Sequence, residues 1–387
     1  MRNSPVGEKA AKDMAWRITS MRALHGVLLL AAALAVFAFY YLGSGRENFS
    51  STTKRIKENW AAQSTSTEVD LASSSELKLS EKGKILESHG PLDYHLLMMF
   101  TKVHRNPGLQ DKFQVALSSL VKYGKFESNE VLCLHFVSDE PSKEIGKALL
   151  RDLLQGASFK YKVIFHDVTT LTEKLFPIVE AMQKHFSSGS GTYYSDSIFF
   201  LSVALHQIMP KEIYRIVQLD LDLKFKTNIR ELFEEFDNFM HTSVIGIAPE
   251  MQPVYRHTFW QYRRENPLTK VGDPPPDGMP GFNSGVMLLN LEAMRLSKLY
   301  NELLEPNAVQ QLAEKYHFKG HLGDQDFFSM IGMEHPELFY VLDCGWNRQL
   351  CTWWKDHGYM DVFDDYYRCE GHIKILHGNC NTPIPDE

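Results

Sequence analysis

Short apolar runs that alternate with longer segments of helical period constrain this chain more than anything else in its 387 residues. Tyr94–Phe100, Val131–Val137 and Tyr161–Phe165 each read as a buried strand. After the first, Asn106-Pro107-Gly108 leads into a helix with Phe113, Leu117, Leu120 and Val121 on one face. Ser142–Leu154 and about Leu171–His185 supply the helices after the second and third strands. A further helix, about Ser197–Ile208, ends at Met209-Pro210. Strands and helices alternating at this spacing predict an α/β fold, a mostly parallel sheet flanked by helices on both faces. Ligands in such folds sit at the carboxyl ends of the strands.

A fourth strand is expected over the stretch Arg215–Phe225, whose apolar run ends in Asp220-Leu221-Asp222. Alternate side chains of a strand point to one face, so both carboxylates project together from the sheet edge. Two anionic groups in one place repel unless a cation sits between them. A hard divalent cation fills that role, and it is useful when the substrate carries a diphosphate. Asn228 then caps a helix carrying Ile229, Leu232, Phe233 and Phe236. Val244–Ala248 reads as another strand, followed by a long irregular, proline-rich segment, 249–281, that holds His257, Trp260 and Tyr262. Long connections of this kind inside a domain are usually functional or disordered, and the residues held here favour function.

A net charge of −7 without a basic stripe argues against a nucleic-acid partner. From Ala23 to Leu42 there is no charged residue. Twenty residues at about 1.5 Å each span a bilayer core of about 30 Å. The basic flank precedes this run, so the expected organisation is a cytosolic tail (1–22), a transmembrane signal-anchor (23–42), a lumenal stem (43–90) rich in Ser and Thr, and a catalytic domain (91–387). Asn48-Phe49-Ser50 is an N-glycosylation sequon in the stem. Cys344, Cys351, Cys369 and Cys380 cluster late in the chain, at no zinc spacing, and read as two disulfides of an oxidising compartment, with all three pairings open.

Four segments in order carry a family resemblance. They are Leu219-Asp220-Leu221-Asp222, Gly281-Phe282-Asn283-Ser284-Gly285, Gly323-Asp324-Gln325-Asp326 and Ile375-Leu376-His377-Gly378-Asn379. Together they resemble the family-8 retaining glycosyltransferases, the group of glycogenin and the bacterial lipooligosaccharide galactosyltransferases, over about residues 93–380. The resemblance implies a GT-A type nucleotide-sugar-binding fold. It implies Mn2+, with Mg2+ as the alternative, held by Asp220, Asp222 and His377, which bridges the diphosphate of a UDP-sugar. It places Phe100, Thr101, Asn283, Ser284, Leu322 and Asn379 at the donor, Asp324 on the donor-sugar hydroxyls and Gln325 nearest the anomeric carbon. An amide is a poor nucleophile, so a front-face course is expected, in which the departing phosphate oxygen deprotonates the acceptor.

Cys344–Cys351, the Trp353-Trp354 pair, the ending His377–Pro383 and the N-terminal uncharged run further resemble family members of the endoplasmic-reticulum membrane. Those members are single-pass type II proteins that add xylose from UDP-xylose, in alpha-1,3 linkage, to the xylosyl-glucose glycan on EGF-like repeats of Notch-type proteins. That resemblance implies an acceptor site at His257, Trp260 and Trp354. Transfer from UDP-glucose or UDP-galactose, and an inactive lumenal glycan-binding protein, are the competing readings; the complete Asp220, Asp222, His377, Asp324 and Gln325 set argues against the last. The chain also departs from the family: Ser202 stands where an arginine is usual, and no lysine follows His377. The phosphate grip is therefore expected elsewhere, at the Gly378 and Asn379 backbone or at Lys102.

Overall fold

Residues 92–187 and 197–385 are described in a computed structural model of the chain. The expected tail, the uncharged run Ala23–Leu42 and the stem with its sequon lie outside the described residues. Among the described residues no helix is long and apolar enough to cross a membrane.

A seven-stranded sheet forms the centre, with β1 (Leu92–Met99), β2 (Glu130–Ser138), β3 (Lys160–Asp167), β4 (Arg215–Leu219), β6 (Ile245–Pro249), β7 (Phe282–Asn290) and β8 (Phe339–Val341) in the order β3-β2-β1-β4-β7-β6-β8. β7 runs antiparallel to both neighbours, and the other pairings are parallel. β2 is buried along its whole length, as its nearly unbroken apolar run requires of a strand covered on both faces. Period-two alternation sorts the core. Leu96 and Met98 of β1 face one apolar layer with Phe113, Phe136 and Leu219, while Leu97 faces the other with Val137, Val179 and Ile216.

Helix α1 (Pro107–Tyr123) supplies Phe113, Ala116, Leu117 and Leu120 to the first layer. Helix α2 (Glu140–Leu153) starts where Asp139 accepts a 3.0 Å hydrogen bond from the Ser142 amide. The segment expected as one helix over 171–185 is two, α3 (Val168–Lys174) and α4 (Phe176–Phe186). Pro177 lacks an N–H to continue the first helix, but fits the opening turn of the second. The helix expected over 197–208 is instead 3-10 turns followed by the one-turn α5 (Leu205–Ile208), buried almost throughout. The segment 249–281 is less irregular than its composition suggests, because it contains α6 (Val254–Thr258) and α7 (Trp260–Glu265).

A second sheet sets the site. β5 (Leu223–Phe225) pairs antiparallel with β10 (Ile375–His377), and β10 pairs parallel with β9 (Arg348–Gln349). The register opposes His377 to Leu223, so the end of the chain returns to the aspartates. Cys344–Cys369 and Cys351–Cys380 fasten this returning segment across 25 and 29 residues. On the chain-entropy view each such crosslink contributes about 3 to 4 kcal/mol. Cys133 is free and buried.

Three imidazoles form a row across β1, β2 and β3. His95 Nδ1 lies 3.0 Å from His135 Nε2, and His135 Nδ1 lies 2.9 Å from His166 Nε2. A central ring that donates from one nitrogen and accepts at the other is neutral. Burial, then the neighbouring His166 and His95, pushes His135 down to about 3; burial also lowers His95 and His166. Below the ordinary histidine value of about 6.5 the unfolded chain binds protons that the folded sheet refuses, so stability is fully present above that pH and falls as pH drops. The expected slope from His135 alone is at most about 1.4 kcal/mol per pH unit. Urea midpoints taken across this pH window should decline less steeply in His135→Gln; parallel declines would contradict this account.

Candidate active site

β4 delivers the aspartates and β10 delivers the imidazole. The Asp220 amide donates to the Gly285 carbonyl at 2.9 Å, and the Gly378 amide donates to the Asp222 carbonyl at 2.8 Å. These two bonds hold the turn between β4 and β5 against both sheets. His377 Nε2 then lies 3.7 Å from Asp220 Oδ2 and 3.3 Å from Asp222 Oδ1. One ligand atom from each of the three lies within 4.8 Å of the others. The imidazole is buried, and the Asp220 carboxylate is half exposed to the cleft. Gly285 makes room for the ring: a Cβ there would sit 2.3 Å from His377 Cε1.

Hydrogen bonding fixes which nitrogen of His377 faces the carboxylates. The Gly285 amide can only donate, and it donates to Asn283 Oδ1 at 3.2 Å, while Asn283 Nδ2 donates to Glu250 Oε2 at 3.1 Å. Asn347 Nδ2 therefore donates to Asn283 Oδ1 at 2.9 Å, which leaves Asn347 Oδ1 to accept from His377 Nδ1 at 2.9 Å. With one hydrogen fixed on Nδ1, it is Nε2 that faces Asp220 and Asp222: protonated, as the two carboxylates favour against burial, it donates to Asp222, and once deprotonated it offers its lone pair to a cation. Burial alone would raise Asp222, but the hydrogen bond and charge of His377, with the charge of Lys112, outweigh it and hold the carboxylate below its usual range. Loss of solvation within the cleft and repulsion from Asp222 push Asp220 the other way, although half of its side-chain surface stays open. Two carboxylates and a neutral imidazole suit Mn2+ by ligand type, and the shared space between their ligand atoms fits a cation.

The second half of the site opens helix α8 (Asp324–Glu334). Gly323 precedes it at φ 69°, a left-handed turn that suits glycine. Ser284 Oγ donates to Asp324 Oδ1 at 3.1 Å, and Ser202 Oγ donates to the other oxygen at 2.5 Å. Ser202 thus does not replace the charge of the arginine expected there; it braces Asp324. Burial pushes Asp324 up to about 6, against the bonds from Ser202 and Ser284. Gln325 Oε1 accepts from the Ser284 amide at 3.2 Å, and Gln325 Nε2 donates to Glu250 Oε2 at 3.1 Å. An unbroken hydrogen-bonded path therefore runs from His377 through Asn347, Asn283, Glu250, Gln325 and Ser284 to Asp324.

Residues 113–367 match the glycosyl transferase family 8 domain. The chain belongs to glycosyl transferase family 8. Xyloside xylosyltransferase 1 of Mus musculus is 71% identical over 387 residues, 98% of each chain, and that of Homo sapiens is 69% identical over 388 residues, again 98% of each. The crystal structure of the mouse protein in its apo form aligns with a TM-score of 0.73 at 76% identity and covers 76% of this chain and all of that one. The protein is accordingly a glycosyltransferase of GT-A type, with the mostly parallel, helix-flanked sheet described above.

In this family-8 enzyme the residues expected at the donor separate into two groups. Asn283 and Ser284 lie within the hydrogen-bonded path. The Phe100 ring is wholly buried against Phe113, with centroids 4.5 Å apart, and its carbonyl accepts from Ser138 Oγ. Thr101 is half-buried just beyond β1. The Leu322 amide donates to Asp326, and Asn379 Oδ1 accepts from the Leu350 and Cys351 amides, both at 3.0 Å. These bonds hold Leu322 and Asn379 in the frame of the site. The Lys102 amide donates to Asp139 at the start of α2.

Of the residues expected at the acceptor, His257 and Trp354 meet, with ring centroids 5.1 Å apart and His257 Nδ1 2.8 Å from the Tyr359 hydroxyl. Trp260 is exposed, with the Arg264 guanidinium 5.0 Å above its ring. Three participants escaped the sequence reading: Glu250, Asn347 and Lys112. Glu250 is 3% exposed and is pushed by burial up to about 7. Its position directly after β6, at the same sheet edge as Asp220, was the available signal.

Two substitutions test the cation site. Asp222→Asn should abolish turnover and weaken Mn2+ binding while leaving the circular dichroism spectrum intact; undiminished activity would refute the assignment. Gly285→Ala should displace the imidazole and weaken Mn2+ binding by about 10- to 100-fold, the range for losing a ligand's orientation. Equilibrium dialysis against Mn2+ reads both.

Proposed function

We propose that the enzyme transfers xylose from UDP-xylose, with retention and in alpha-1,3 linkage, to the terminal xylose of O-linked xylosyl-glucose on EGF-like repeats of Notch-type proteins. In this reading residues 23–42 anchor it in the endoplasmic-reticulum membrane as a single-pass type II protein, with the catalytic domain in the lumen. One observation carries the proposal: the Asp220, Asp222 and His377 trio is hydrogen-bonded to Asp324 and Gln325 within a family-8 chain about 70% identical to proteins named xyloside xylosyltransferase.

The division of labour follows from the geometry. Asp220, Asp222 and His377 Nε2 would hold Mn2+, or Mg2+ in its place. When bound, that cation supplies Lewis-acid neutralisation of the departing diphosphate. Asp324, immobilised by two serine hydroxyls, offers carboxylate oxygens to the donor-sugar hydroxyls. Gln325 is fixed at both ends of its amide and so presents one orientation to the reacting carbon. Fixed dipoles of this kind cost no reorganisation as charge develops.

Retention by double displacement would need a free carboxylate at the anomeric carbon. Glu250, the carboxylate bonded to Gln325, is 3% exposed, and one of its oxygens already accepts from two amides. The front-face course is therefore retained, in which the leaving phosphate oxygen takes the proton of the acceptor hydroxyl. His257, Trp354 and Trp260 offer aromatic surface to the acceptor glycan or its protein carrier.

A radiolabelled transfer assay tests the reading directly. A xylosyl-glucosyl EGF repeat should accept label from UDP-xylose with Mn2+, and little from UDP-glucose or UDP-galactose. Preferential transfer from either hexose donor would replace the assignment.

A further inference from the structure

The described donor site holds an excess of negative charge. Asp220, Asp222 and Asp324 all face the position of a substrate that is itself a diphosphate, and no lysine follows His377. One lysine nevertheless reaches the aspartates. Lys112 stands on α1 next to Phe113, whose ring is buried in the core and fixes that turn of the helix. Its Nζ lies 3.3 Å from Asp222 Oδ2 and 2.8 Å from Asn381 Oδ1. Asp222 therefore divides its oxygens, with Oδ1 toward His377 and Oδ2 toward the ammonium. The ammonium is flanked by the turn that follows β10, and its side chain keeps 29% exposure.

We propose that Lys112 is a donor-binding residue whose ammonium, held between Asp222 and Asn381, grips the diphosphate of the nucleotide sugar. This rests on the nucleotide-sugar reading above. A surface ion pair with Asp222 would by itself contribute only about 0–1 kcal/mol, too little to explain a lysine spanning from α1 to the chain's last turn. A diphosphate offers it more. Ammonium–phosphate bonds are charge-assisted, and cleavage of the sugar–phosphate bond leaves extra negative charge on the departing nucleotide where Lys112 stands. Asn381 donates no charge but holds the ammonium off full collapse onto Asp222, so the lysine stays available to the substrate.

The proposal predicts effects of opposite sign, which a merely structural lysine would not produce. Titration calorimetry on the detergent-solubilised full chain would use three probes: Mn2+ alone, UDP with saturating Mn2+, and uridine. Lys112→Met should weaken UDP by at least about 10-fold, the loss of one charge-assisted contact. It should leave uridine within about twofold, and it should leave Mn2+ alone unchanged or tighter, because a competing cation has gone. Lys112→Arg should recover most of the UDP affinity. Parent-like UDP binding in Lys112→Met would overturn the proposal, as would equal losses for all three probes. A parent chain that fails to bind UDP at all would instead remove the nucleotide-sugar reading, and this inference with it.

Discussion

Repulsion between Asp220 and Asp222 is the constraint on which the rest of the structure depends. Their ligand oxygens share a space no wider than 4.8 Å with the imidazole. At that separation two ionised carboxylates oppose each other by about 3 to 4 kcal/mol at an effective dielectric of 20. A folded domain has a stability of only about 5–15 kcal/mol, so the pair must be compensated. His377, whose proton the two carboxylates help retain, and Lys112 meet different oxygens of Asp222, and each comes from a distant part of the chain. The second sheet, with its two disulfides, exists in this view to hold one of those compensating groups in place.

Compensation alone would not make a site for chemistry. In the proposed function, the polar path from His377 to Asp324 joins the end that would neutralise phosphate to the end that would hold the donor sugar. Each member has a defined role because backbone amides anchor it: Gly285 orients Asn283, and Ser284 orients Gln325. Glu250 is the junction, accepting from Asn283 and Gln325 on one oxygen. The two amides fix Glu250 through Oε2 while its Oε1 is buried without a hydrogen-bond partner among the described residues, and a buried carboxylate lacking those amides would be costlier still. In that reading, rigid placement at both ends would hold the donor's two halves in one defined geometry, as positioning for transfer requires.

Much of the fold was legible in the sequence because local pattern decides it. β1, β2, β3 and β6 are apolar runs bounded by turn residues and appear within a few residues of their expected bounds, whereas the strand expected over Arg215–Phe225 breaks at the aspartates into β4 and β5. Asp220, Asp222 and His377 were legible as chemistry, and they meet. Other features depend on tertiary neighbours and left no local trace. β7 runs against the direction of the sheet, and β9 and β10 are two or three residues long, too short for periodicity to show. α6 and α7 hide within a segment whose prolines suggest irregularity, since helices of five and six residues are stabilised by packing on the core more than by propensity. Lys112 looked like any solvated helix lysine, and Asn347 like a residue between cysteines. Only the pairing of segments far apart in the chain gives either a partner.

The account stands on one imidazole and two carboxylates sharing a cation. Electron spin-echo modulation of Mn2+ bound to the purified chain measures this at the metal itself. The account predicts nitrogen modulation from a single imidazole in the parent chain, lost in His377→Gln while the protein remains folded. Mn2+ bound tightly with no nitrogen modulation, or with modulation that survives His377→Gln, would contradict it.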